Sequence, residues 1–61
     1  MNNYEIIIEE FHNQHAANKG VNEFIQECTE GNAEILDITS HITVDPDGNN
    51  TYVFIYKVSQ D

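Results

Sequence analysis

The chain has 61 residues, with eleven acidic side chains, two lysines, no arginine and a formal net charge of −9. One small domain spanning 1–61 fits that length and two do not; a chain this short buries only about 60% of its unfolded surface and would gain from oligomerisation or a metal. The charge, together with the missing guanidinium fork, argues against nucleic acid as a direct ligand.

Cys28 is the only cysteine, so no disulfide can form within the monomer. A single thiol suits a reducing, cytoplasmic setting. The N-terminus shows neither a basic segment nor a long apolar run, so neither secretion nor membrane spanning is expected.

From Asn3 to Phe11, Tyr4, Ile6 and Ile8 alternate with Glu5, Ile7 and Glu9. Period-two spacing with β-branched residues predicts a strand. Between Asn13 and Glu30 the period changes. Ala17, Val21, Phe24, Ile25 and Cys28 fall within an arc of about 100° at helical spacing, which predicts an amphipathic helix. Asn13 is a candidate cap for its first turn, and Gly31-Asn32 is a stop that tolerates the left-handed conformation. Gly20 interrupts the pattern at a cost of roughly 1 kcal/mol, so the first turns are expected to fray.

Alternation returns from Ala33 to Val44, with Leu36, Ile38, Ile42 and Val44 on one side. Asp45-Pro46-Asp47-Gly48 then predicts a type I turn, with glycine supplying the positive φ of a following bulge. A third strand from Thr51 to Val58 sets Tyr52, Phe54, Tyr56 and Val58 against Val53, Ile55 and Lys57. The fold class is therefore α+β, a single βαββ unit. Its two later strands form an antiparallel hairpin that the first joins through a right-handed crossover. With the aromatic third strand central, the order is 1-3-2; the Ile6-Ile7-Ile8 run keeps open a rival with the first strand central.

One helix covers only one face of three strands. The face with Ile6, Ile8, Leu36, Ile38, Phe54 and Tyr56 is the more apolar and is assigned to the helix. Ile7, Ile35, Val53 and Ile55 are then left bare on the other face, forgoing several kcal/mol at about 25 cal/mol per Å². A homodimer through that face, or through an edge strand, is the expected remedy.

Catalytic and metal chemistry find little support in the sequence. Asp45, Asp47 and Asn49 echo the start of a calcium loop, but Asn50 and Tyr56 stand where glycine and a bidentate glutamate belong. His12, His15, His41 and Cys28 lack the close Cys/His spacing of a zinc site. A three-stranded sheet with one helix offers little concavity for a nucleophile and its base. The expectation is no enzyme, no metal and no cofactor. Tyr52, Phe54 and Tyr56 alternate as in base-stacking sheets, yet only Lys57 flanks them, so they read as core and interface aromatics.

Acidic patterning remains. Glu23, Glu27 and Glu30 form a line at helical spacing beside the apolar stripe, Glu9 and Glu10 decorate the first strand, and Asp45 and Asp47 tip the hairpin. These seven are the candidate binding residues for a protein partner with a basic surface, where electrostatic complementarity gives fast, salt-sensitive association.

Val21-Asn-Glu-Phe-Ile-Gln-Glu27, Glu34-Ile-Leu-Asp-Ile38 and Tyr52-Val-Phe-Ile-Tyr-Lys57 give the chain a resemblance to a family of roughly sixty-residue acidic proteins. These occur in spore-forming Gram-positive bacteria and their phages, and the first described is a small acidic sporulation protein. The resemblance implies a small cytoplasmic bacterial or phage protein and assigns no catalytic or binding residue. Together with the charge, it leads to the expectation of a phage-encoded inhibitor of a host defence or nucleic-acid-handling protein. The alternative is a sporulation-associated or regulatory homo-oligomer acting through its apolar sheet face.

Overall fold

A computed structural model describes residues 3–59. Strand β1 (Tyr4–Phe11) leads into helix α1 (Gln14–Glu30), followed by β2 (Ile35–Val44) and β3 (Asn50–Ser59). Both outer strands pair antiparallel with β3, giving the order β1-β3-β2 with the helix on one face. The βαββ architecture and the central third strand thus follow the sequence pattern.

Helix boundaries have local causes. The Asn13 side chain accepts the Ala16 N–H at 2.7 Å, satisfying one of the orphan donors of the first turn. At the other end Asn32, not Gly31, takes the left-handed conformation, with φ 59°. Ala33 N–H then donates to the Cys28 carbonyl at 2.8 Å and Asn32 N–H to that of Thr29 at 3.3 Å, the paired bonds of a Schellman motif. The hairpin turn closes through Gly48 N–H to the Asp45 carbonyl at 3.0 Å, with Gly48 at φ 85°.

Register decides which side chains meet the helix. Ile7 lies opposite Tyr56, Glu9 opposite Phe54 and Phe11 opposite Tyr52, so these six share a face. Phe24 of the helix stacks on Tyr56 with ring centroids 4.0 Å apart, which identifies that face as the covered one. Phe54 and Tyr56 therefore lie on the helix side as expected, and so does Ile38, which pairs with Tyr56 from β2 but stays 38% exposed.

The first strand has the opposite phase from the expected one. Ile6 and Ile8 lie on the open face and Ile7 on the helix side. The observed phase goes against the local pattern, in which Tyr4, Ile6 and Ile8 form the more apolar side; it brings Phe11 edge-on to Phe54 at 6.0 Å and Glu9 to the Tyr56 hydroxyl. On β2 a register shift between Ile35 and Asp37 leaves Leu36 without a partner and brings Ile35 to the helix side, opposite Val58. Ile7 and Ile35 are thus not on the bare face to which the interface was assigned, whereas Val53 and Ile55 are.

Among the described residues few apolar side chains are buried: Ala17, Tyr56 and Val58. Gly20 stands over β1, where an added Cβ would overlap Cε1 and Cζ of Phe11. The glycine that weakens the helix on propensity grounds lets the aromatic ring lie against its backbone. Alanine should gain about 1 kcal/mol of helix propensity yet displace a ring whose burial is worth about 1.5–3 kcal/mol. Gly20→Ala is therefore expected to lower the thermal midpoint. In a Phe11→Leu background the same change should become neutral or stabilising, a coupling that a double-mutant cycle by thermal melts measures.

Candidate acidic interface

The helix presents Glu23, Glu27 and Glu30 to solvent, all three exposed. At 1.5 Å rise per residue the line extends over about 10 Å within one narrow arc. Lys19 Nζ lies 3.9 Å from the Glu23 carboxylate, an exposed i,i+4 pair worth about 0.3–0.5 kcal/mol. Gln26 Nε2 donates to Glu30 at 3.1 Å. The other lysine, Lys57, sits on the open face of the sheet, 4.2 Å from the centroid of the Tyr4 ring.

These carboxylates run against the helix dipole. No acidic residue occupies the first turn and no basic one the last, where the partial negative charge of the C-terminal carbonyls meets Glu27 and Glu30. Helix stability alone would favour lysine at those positions.

The other candidate acids do not join this line. The Glu9 carboxylate lies on the covered face and accepts the Tyr56 hydroxyl at 2.9 Å, a part-buried bond across the sheet. It serves the core rather than an outer acidic surface. A run of glutamates on an outer strand conceals this, since only the register reveals which one meets Tyr56. Glu10 is exposed on the opposite face, beside Val53. Asp45 is engaged in the turn: its Oδ1 accepts the N–H groups of Asp47 and Asn49 at 3.0 and 2.9 Å, and its Oδ2 accepts Asn49 Nδ2 at 3.2 Å. The Asn49 backbone N–H above all, with the other donors of the turn, holds the Asp45 carboxyl below the usual carboxylate range. Asp47 is exposed at the tip. Because the helix runs from the hairpin end towards the start of β2, Glu30 and the tip lie at opposite ends of a molecule 45 Å long.

Among the described residues no three His, Cys, Asp or Glu side chains gather to hold a metal, and no pocket is present. No described helix is long and apolar enough to cross a membrane. Comparison with protein-family models, curated proteins and solved structures yields no match.

Two measurements follow from this charge layout. Glu27→Lys and Glu30→Lys should each raise helix stability by about 0.3–1 kcal/mol at low ionic strength, an effect that approximately 1 M salt removes. Thermal melts in both conditions read it. Burial, reinforced by the Glu9 hydrogen bond and charge, raises the Tyr56 phenol above its ordinary 10.0. The neutral phenol is then favoured in the folded state, so its contribution is fully present below pH 10.0 and is lost as pH climbs through the raised folded value. Tyr56→Phe should be less stable near neutrality by about 1.5–3 kcal/mol and show a flatter loss of stability above pH 10.0 in denaturant titrations.

Proposed function

We propose that this chain is a non-enzymatic protein-interaction module that docks on a basic surface of another protein through Glu23, Glu27 and Glu30. The observation that carries this reading is the placement of Glu27 and Glu30 at the helix end where they oppose the macrodipole, with no basic residue in the last turn. Charge placed against local stability is accounted for by a partner that neutralises it. Glu10 and Asp47 add to the field at long range, while Glu9 and Asp45 are held by internal bonds.

The resemblance to small acidic phage proteins favours a phage-encoded inhibitor acting in the host cytoplasm. Nucleic-acid-handling and defence proteins carry basic surfaces matched to phosphate spacing, and carboxylates one helical turn apart approximate that spacing. A second reading, a homo-oligomer working through apolar surface, is favoured by the eight large hydrophobic side chains left exposed among the described residues.

Host lysate passed over the immobilised chain should yield basic proteins retained in about 0.05 M salt and released near 1 M, where the Debye length falls to about 3 Å. The Glu23→Lys, Glu27→Lys, Glu30→Lys triple variant should retain none of them while keeping its far-UV circular dichroism. Unchanged retention by that variant overturns the acidic-line reading.

A further inference from the structure

The strand order leaves two free edges, on β1 and β2, and the two are guarded very differently. An unpaired edge is a template for another chain unless charge, proline or distortion blunts it. Strand β1 carries Glu5, Glu9 and Glu10 within eight residues. Pairing β1 with a second β1 about Ile7, for instance, would set Glu5 opposite Glu9. Strand β2 has one charged residue, Asp37, neither proline nor lysine, and a bulge only at its start. Every residue from Leu36 to Val44 is exposed, including Ile42 and Val44 at 64% each and Ile38 at 38%. These three aliphatic side chains line the helix side of β2, beyond the strip where the helix meets Phe11 and Tyr56.

The β2 sequence is complementary to itself. In an antiparallel pairing with its two-fold at Ser40, Ile38 of one copy meets Ile42 of the other on the helix side, twice over, with Ser40 facing Ser40 between them. On the open side Thr39 meets His41, and Asp37 meets Thr43 rather than another carboxylate. Aliphatic pairs of this kind add to sheet stability, and like charges directly opposite would subtract from it.

Size points the same way. The chain exposes 4702 Å², against roughly 4,000 Å² for a compact monomer of 7.0 kDa. The excess is of the order that one partner buries in a stable interface, about 800 Å². Its radius of gyration of 13.2 Å is that of a compact chain of about 100 residues.

We infer that a second copy of this chain pairs with the free edge of β2 about Ser40, making a continuous six-stranded antiparallel sheet with both helices on one face. This inference rests on the homo-oligomer reading and names its interface. Sedimentation equilibrium of the full chain should give twice the 7.0 kDa protomer mass. Ile42→Glu should weaken association on the order of 100-fold, because each substitution enters a two-fold interface twice. Ile8→Glu, at 61% exposure on the opposite face, should leave it unchanged. In a Cys28→Ala background, Ser40→Cys should give a disulfide-linked dimer on mild oxidation and Thr43→Cys should not, a readout independent of whether Ile42→Glu folds. A monomer at high micromolar concentration overturns both the oligomer and its edge. A dimer abolished by Ile8→Glu, unaffected by Ile42→Glu in its folded form, or cross-linked equally at both cysteines overturns the edge alone.

Discussion

Tyr56 is where the structure is held together. It sits on the central strand, stacks against Phe24 of the helix, lies opposite Ile7 of β1 and Ile38 of β2, and donates its hydroxyl to Glu9. All four elements therefore meet at one side chain. It is also the only fully buried large side chain among the described residues. In so thin a domain an ordinary aliphatic residue there would bury apolar surface but leave Glu9 inside without a donor. The phenol serves both needs, with an apolar ring and a polar tip.

Apart from Ala17 and Val58, the described residues away from Tyr56 are lightly covered. The helix crosses β1 and the central strand at Phe11 and Tyr56, and its inner stripe does not extend over the outer half of β2. The consequence is a plate about 10 Å thick at its narrowest, apolar along one rim and acidic along the outer side of the helix. The same helix thus bears two opposed demands. Its inner side must supply much of the core, while its outer side carries charges that work against the helix itself. Spatial separation of the apolar and acidic regions lets one small domain offer two chemically distinct surfaces without the charge of one invading the other.

Much of this was legible where a local signal was unambiguous. The period change at Asn13, the proline and glycine of the turn at Asp45 to Gly48 and the aromatic alternation of β3 are local signals, and together they define the βαββ order. The phase of β1 is not legible, because Tyr4, Ile6 and Ile8 make the wrong side the more apolar and the decision lies in the register with a strand more than forty residues away. The bulge at Leu36 is likewise silent in an alternating sequence. Gly20 is a defect on helix propensity alone, since nothing local announces that Phe11 lies against it. Glu9 looks like the neighbouring surface acids for the same reason: its partner belongs to another strand. Of the acidic set, the helix line was visible because its spacing is local, whereas the division between turn, core and surface depends on tertiary contacts.

The pairing distances also order the assembly of the chain. Val44 meets Asn50 across a turn that Asp45 closes with its own carboxylate, so the hairpin zips through neighbouring residues. Phe11 must find Tyr52 forty-one residues onward, and every other β1 pair closes a longer loop. Loop closure of that length is slow relative to hairpin formation. Since β1 brings both the acceptor for Tyr56 and the ring that lies on Gly20, its docking is the step at which a loose hairpin and helix become a native structure. Substitutions in the Asp45 turn should therefore act mainly on the folding rate, and those at Phe11 or Glu9 mainly on the unfolding rate.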